Sequence, residues 1–424
     1  MKKNVTIIGG GLSGLAAGLE LSENGCAVTV FEKDEQAGGL ARSFLKNNVW
    51  LPVAYHHVMR PDKTTLKYIN KLGLTSELFW KRSPQAVWYE NKQYIMSAPL
   101  DILKLDFFGL IDKLKFARFG AYCFLKNGWK GLDDISCQEW LEKKAGRKAT
   151  EILFKNLVEM KFGMPLQNLS VPWLANRLHQ SVRSRDWYAY LKNGIKHFID
   201  IMVERIKNNG GVILTRAEVT GIRGNKVAVS VEKGNKIVNE ELYFDYLINT
   251  TPPPVFLKIA EIPSDAKELL ERIKYKNVLS FVCGSKENRT PYYWNIVLSP
   301  HLFFGGIFNH SALYPGNVEK TGRVYYLFRY IDDGDELFSR NREFLEKKFS
   351  ADLTKFWQGF KYDWFEIFRL KNSQPVFERG YKNPPEKLTD KIILAGVYKE
   401  FPSPRTMSSA LESGLKAAKI ILEQ

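Results

Sequence analysis

Val5-Thr6-Ile7-Ile8-Gly9-Gly10-Gly11-Leu12-Ser13-Gly14-Leu15-Ala16-Ala17-Gly18, and the strand-like Ala27-Val28-Thr29-Val30-Phe31-Glu32 that follows, decide the fold expected of this chain. Val5 to Ile8 is a short run rich in β-branched residues and reads as a buried parallel strand. Gly9, Gly11 and Gly14 make a G-x-G-x-x-G loop, and Gly18 follows one helical turn later. Leu15, Leu19 and Leu21, with Ala16 and Ala17, give a helix with a small-residue face that Gly25 stops. Gly9 permits the tight turn, Gly11 lets the backbone approach a pyrophosphate, and Gly14 and Gly18 let the helix close on the sheet. Leu12 and Ser13 head that helix, whose free N–H groups and partial positive charge face phosphates. Glu32, 18 residues beyond Gly14, stands where a carboxylate accepts hydrogen bonds from ribose hydroxyls, and Lys33 adjoins it. Strand, loop, helix, second strand and terminal acid together read as a nucleotide-binding βαβ unit.

The rest of the composition bounds the answer. At roughly 100–200 residues per domain, 424 residues predict two or three domains with a large core. The formal charge of +16 fits a lysine-rich solvated surface, or attraction to anionic lipid or an anionic substrate. No nucleic-acid motif and no long Lys/Arg block is present, so nucleic acid is not an expected partner. Cys26, Cys123, Cys137 and Cys283 form no C-x-x-C pair. They predict reduced thiols in a cytoplasmic protein, with no zinc site and no other metal centre. Glycines interrupt the apolar stretch from Val5 to Leu21, which therefore reads as strand-turn-helix and not as a signal peptide. No unbroken apolar run is long enough for a membrane-spanning helix. Leu103 to Asn127 mixes Leu, Phe, Ile and Tyr at helical spacing with Lys104, Lys113, Lys115, Arg118 and Lys126. It reads as a helix pair packed on the protein, or as a basic amphipathic face at an anionic membrane surface. Ser136-Cys137-Gln138-Glu139 predicts a capping box opening another helix.

Ala37-Gly38-Gly39-Leu40-Ala41-Arg42-Ser43-Phe44 follows soon after Glu32. It resembles the glycine doublet of the flavoprotein group that contains amine oxidases, protoporphyrinogen oxidases, phytoene desaturases and UDP-galactopyranose mutase. The resemblance implies FAD, with Gly38, Gly39 and a basic residue passing its pyrophosphate and flavin. Where that group has Arg directly after the doublet, this chain has Leu40, and the nearby cation is Arg42. Val49 to Met59 resembles the segment that brings a Gly-x-His stretch to the flavin, with Pro52 and Ala54 where Asp and Gly are common. It implies Tyr55, His56 and His57 as polar groups beside the ring, to orient substrate, move a proton or simply bond nearby backbone. Lys161-Phe162-Gly163 with Leu169 to Leu174 resembles a stretch of protoporphyrinogen-oxidase-like proteins and offers Lys161 as a cation near the flavin. Val219 falls where relatives contact the adenine edge through backbone atoms. A strand from Phe244 to Asn249 leads into Thr250-Thr251-Pro252, which resembles the exit from the cofactor domain. Lys391 to Gly396, then Arg405-Thr406-Met407, resembles the closing motif, in which a helix N-terminus faces the flavin. Val397 replaces its usual acid, and Glu400 is the carboxylate that would stand in.

The fold class expected is α/β: a discontinuous Rossmann-like FAD-binding domain, a mixed α+β substrate domain and a helical insertion. Residues 1–75, 191–268 and 386–424 are assigned to the cofactor domain, 76–190 to a helical insertion facing substrate or membrane, and 269–385 to a sheet-based substrate domain. Three activities fit. The first is FAD-dependent oxidation or desaturation of a largely apolar small molecule by hydride transfer to flavin N5. The second is a non-redox flavin isomerase acting on a nucleotide sugar. The third is flavin binding with little catalysis. Oligomeric state is not encoded in any motif.

Overall fold

The computed structural model describes residues 2–90, 92–126, 128–234, 236–299 and 301–424. Asn4–Ile8 forms the middle of a five-stranded sheet whose order is Val212–Leu214, Ala27–Phe31, Asn4–Ile8, Tyr246–Asn249, Ile392–Leu394. Every neighbouring pair in it is parallel. Parallel strands need crossover connections, which is why the sheet draws on segments far apart in the chain. Leu12–Glu23 is the first crossover helix, and ten of its twelve residues are buried. It is buried on most sides because it lies between the sheet and two further helices, Gly194–Asn208 and Met407–Leu422. The closest approach is at Gly414, where a Cβ would collide with the carbonyl oxygen of Ser13.

A three-stranded antiparallel sheet, Ala217–Arg223, Lys226–Lys233 and Lys236–Tyr243, follows the cofactor sheet. Its last two strands form a hairpin through Gly234, and Asn235 lies outside the described residues. A seven-stranded sheet runs Trp364–Pro375, Tyr275–Ser285, Arg323–Ile331, Gly306–Asn309, Trp294–Val297, Ala86–Tyr89, Lys92–Ile95. Its second strand in that order, Tyr275–Ser285, is buried at every residue.

The helical insertion expected over 76–190 is helical only in its middle. Ala86–Tyr89 joins the seven-stranded sheet through a parallel pairing with Trp294–Val297. Leu78–Arg82 and Trp187–Leu191 pair in a small sheet with Val58–Met59. Those strands are four or five residues long, and apart from the hairpin of Ala86–Tyr89 with Lys92–Ile95 they find their partners a hundred or more residues away, so local periodicity marks them poorly.

Leu110–Leu125 is a helix that buries Phe119 and Cys123 against a core of Trp129, Trp140, Phe154 and Trp173. Its other face, with the preceding turn Pro99–Lys104, leaves Leu100, Leu103, Leu110, Ile111, Leu114 and Leu125 each at least 59% exposed. Asn127, the end of the stretch read from sequence, lies outside the described residues. Cys137–Lys144 is helical as expected, but Ser136 makes no side-chain cap, so the capping box there does not form. A reciprocal box forms instead at Thr406 and Ser409. Among the described residues, no helix is long and apolar enough to cross a membrane.

Candidate functional site

The carboxyl ends of the parallel strands open into a cavity of about 670 Å³ that reaches the seven-stranded sheet. In open α/β sheets ligands bind at this edge, because the loops there and the helix N-termini converge. Every site residue read from the sequence lines this cavity except Gly14. Gly14 stands behind the loop, where a Cβ would collide with the Gly9 carbonyl oxygen. Its task is close packing, not ligand contact.

Around the first loop, Glu32 Oε2 accepts from the Gly10 amide at 2.8 Å, and Oε1 accepts from the Asp34 amide at 2.9 Å. Burial raises the Glu32 carboxyl, and those two amide bonds partly offset the rise. The carboxylate is thereby held at the cavity wall with lone pairs left for hydroxyl donors. Lys33 beside it pairs with Asp34 at 2.8 Å. Val219 belongs to the outer strand of its sheet, and it lines the cavity with Ala217 and Glu218. Thr250 has a local role: its hydroxyl donates to the Ile8 carbonyl at 2.7 Å and pins the loop.

Gly11 tests whether a dinucleotide fits. Its φ of −72° and ψ of 177° suit any residue. A Cβ there would meet only the Gly39 Cα, 3.9 Å away. Neither backbone nor packing therefore asks for glycine, and what remains is the open cavity side, where a pyrophosphate needs the room. Arg42 donates from Nη1 to the Gly39 carbonyl at 3.0 Å and lines the same wall. Leu40 takes the place of a second cation and packs against Val53 and Val278.

Thr406 caps the helix Met407–Leu422, accepting from the Ser409 amide at 3.1 Å, and Thr406 and Met407 both face the cavity. A helix start presents positive potential to whatever lies there. Gly396 and Val397 line the cavity as well. Glu400 does not replace the acid missing at Val397: it is buried and pairs with Lys416 at 2.7 Å.

Tyr55, His56 and His57 lie on the loop between Val49–Pro52 and Val58–Met59. Tyr55 stacks on Phe308 with ring centroids 3.5 Å apart. His56 Nδ1 lies 2.8 Å from the Ala54 carbonyl, and His57 Nδ1 lies 2.9 Å from the Tyr293 hydroxyl. Burial is the main cause that pushes His56 down to about 4 and His57 down to about 3. Both rings are neutral near neutral pH. Burial likewise drives Lys161 well below the usual lysine range, and Arg177 and Arg405 add like-charge repulsion.

Sequence reasoning missed Asp62, Arg177, Phe328 and Tyr330, all in the cavity wall. Asp62 precedes the helix Lys63–Lys71, a capping signal, but its carboxylate turns back to accept from the Met59 amide at 2.7 Å. Burial raises it to about 6. Arg177 sits on the helix Val171–Ser184, and no motif marks it.

A family model described as "Flavin containing amine oxidoreductase" matches residues 12–422. Hydroxysqualene dehydroxylase of Sinorhizobium fredii is 40% identical over 80 residues, 18% of this chain and 19% of that protein. The mitochondrial protoporphyrinogen oxidase of Nicotiana tabacum is 31% identical over 122 residues, 27% of this chain and 23% of that protein. The matched stretch thus spans about a fifth of the length of these curated relatives. Whole-chain likeness comes from solved structures. A protoporphyrinogen oxidase assignment from Exiguobacterium sp. 255-15 superposes with a TM-score of 0.77 at 16% identity, covering 100% of both chains. Reduced UDP-galactopyranose mutase gives 0.76 at 14% identity, covering 100% of this chain and 96% of the other. Putrescine oxidase bound to putrescine gives 0.70 at 14%, covering 100% of both. At these identities the structures establish the shared fold. The cofactor is FAD, and the glycine loops, Glu32 and the capped helix fit it.

Proposed function

The chain belongs to the flavin-containing amine oxidoreductase family, and on that footing we propose that it is an FAD-dependent oxidoreductase acting on a small, largely apolar molecule. The observation that carries this is the single cavity that joins the nucleotide loops to an aromatic chamber of Tyr55, Phe328 and Tyr330. FAD supplies the hydride acceptor when bound. The chain does the rest. Gly11, Gly38 and Gly39 admit the phosphates, and Glu32 receives the ribose. The helix start at Thr406 and Met407 favours negative charge in the cavity. Neutral His56 and His57 hold their tautomers against Ala54 and Tyr293 and orient a substrate. Anaerobic mixing with substrate is expected to bleach the visible flavin absorption, and oxidant is expected to restore it.

A non-redox isomerase acting on a nucleotide sugar is the second reading. The cations Lys161, Arg177 and Arg405 around the chamber favour it. It requires turnover with the flavin kept reduced and no net oxidant consumed, which a redox enzyme cannot sustain.

Peripheral contact with an anionic membrane is also proposed, on the exposed leucines of Pro99–Lys104 and Leu110–Leu125 with Lys104, Lys113 and Arg118 among them. The free, buried cysteines support a cytoplasmic setting.

A further inference from the structure

Lys161 and Arg177 are basic side chains that no carboxylate among the described residues pairs with within salt-bridge distance, although Asp62 feels the charge of Arg177. Among the described residues, neither side chain forms an ion pair or a hydrogen bond. Each leans on an aromatic ring instead: Lys161 Nζ lies 5.7 Å from the Tyr330 ring centre, and the Arg177 guanidinium lies 5.1 Å from that of Trp294. Arg405 is the third cation, donating from Nη1 to the Ser373 carbonyl. All three line the cavity and repel one another. The lining carboxylates lie mostly elsewhere. Glu32 is bound to the amides of Gly10 and Asp34, Asp34 pairs with Lys33, and Glu218 adjoins Val219 at the nucleotide loops. Only Asp62 is near, and it is held by the Met59 amide.

Converging cations without counter-ions are costly to enclose, and an anion brought by a ligand offsets that cost. An alkylammonium ion entering the same space meets the guanidinium groups of Arg177 and Arg405 and no paired carboxylate. We propose that the substrate carries an anionic group, a carboxylate or a phosphate, that docks on Lys161 and Arg177 while its apolar part lies over Tyr55 and Phe328. The proposal rests on the reading of this cavity as the substrate site beside the flavin. It sharpens that reading to an amphiphilic acid and excludes simple amines, despite the family's description.

A consequence follows for protons. Burial and two neighbouring cations disfavour the charged form of Lys161. A bound anion favours that form. Binding of an anion is therefore expected to raise the proton affinity of Lys161.

The test uses the full-length, flavin-loaded protein and four probes that share one ring: benzoate, phenyl phosphate, benzyl alcohol and benzylamine. Binding is read from perturbation of the visible flavin spectrum. Either anion is expected to bind at least tenfold more tightly than the alcohol at neutral pH, and the amine least. Lys161→Met and Arg177→Met are each expected to weaken the anions at least tenfold and leave the alcohol unmoved, and Arg177→Lys is expected to restore part of the loss. A benzoate preference identifies the group as a carboxylate and a phenyl phosphate preference as a phosphate; both support the proposal. Four indistinguishable probes, whether all bind or none does, overturn it. So does an amine that binds best, or anion binding that neither methionine variant changes. A protein that holds no flavin defeats the reading of the site itself; a flavin-loaded protein without charge preference defeats this proposal alone.

Discussion

The amide of Gly38 donates to the carbonyl of Gly10 at 2.8 Å, and Gly11 and Gly38 form a parallel bridge. The two glycine motifs of the sequence are thus one continuous floor. Gly38 needs its residue type, since its φ is +121° and a Cβ would press on Ile199 Cδ1 at 2.8 Å.

Gly11 gives the cleanest test of that floor. Gly11→Val is expected to fold with an unchanged far-UV circular dichroism spectrum, because its backbone is extended and its surroundings are open. Flavin content per protein is expected to drop at least tenfold. Full flavin content in the variant would remove the phosphate-loop assignment.

Gly14 should behave in the opposite way. Gly14→Ala forces a methyl against the Gly9 carbonyl inside a buried helix. A loss of about 1–3 kcal/mol is expected, the usual cost of overpacking a tight core. The urea midpoint measures it, and an unshifted midpoint would mean that helix and loop are less closely packed.

Acid should weaken the fold through its buried histidines. His310 is 1% exposed, and burial pushes it down to about 4. A group lowered in the folded state contributes stability above its unfolded value, near 6.5, and loses it as pH falls towards the folded one. Between pH 7 and pH 5 this amounts to about 2 kcal/mol for one histidine. His310→Phe is expected to flatten the fall in urea midpoint over that interval by this much. His310 does not line the cavity, so flavin content should hold. An unchanged slope would show that His310 titrates alike in both states.

The leucine face can be tested by flotation with vesicles containing anionic lipid. The wild-type chain is expected to float, and a variant with Leu110, Ile111 and Leu114 all changed to Ser is expected to stay in the pellet fraction with normal flavin content. Failure of the wild type to float would end the membrane reading.

The sequence alone determined the cofactor unit. Strand Asn4–Ile8, the glycine loop, the buried helix and Glu32 are contiguous, and each is fixed by local chemistry: β-branched residues, a tight turn, a stop glycine. The helix after Thr406 was legible through its likeness to a family's closing motif, but its cap by Thr406 and Ser409 was not. The tertiary structure decided what depends on distant pairing. It put Ala86–Ile95 into the far sheet, although the run around it suggested helix. It turned Glu400 toward Lys416 and away from the cavity. It also buried His56 and His57, which disfavours their charged forms, and brought Arg177 from an unmarked helix to the side of Lys161. A glycine turn or a cap signal is written over a few neighbouring residues. Burial, charge balance and the convergence of side chains from separate elements exist only once the chain has closed on itself.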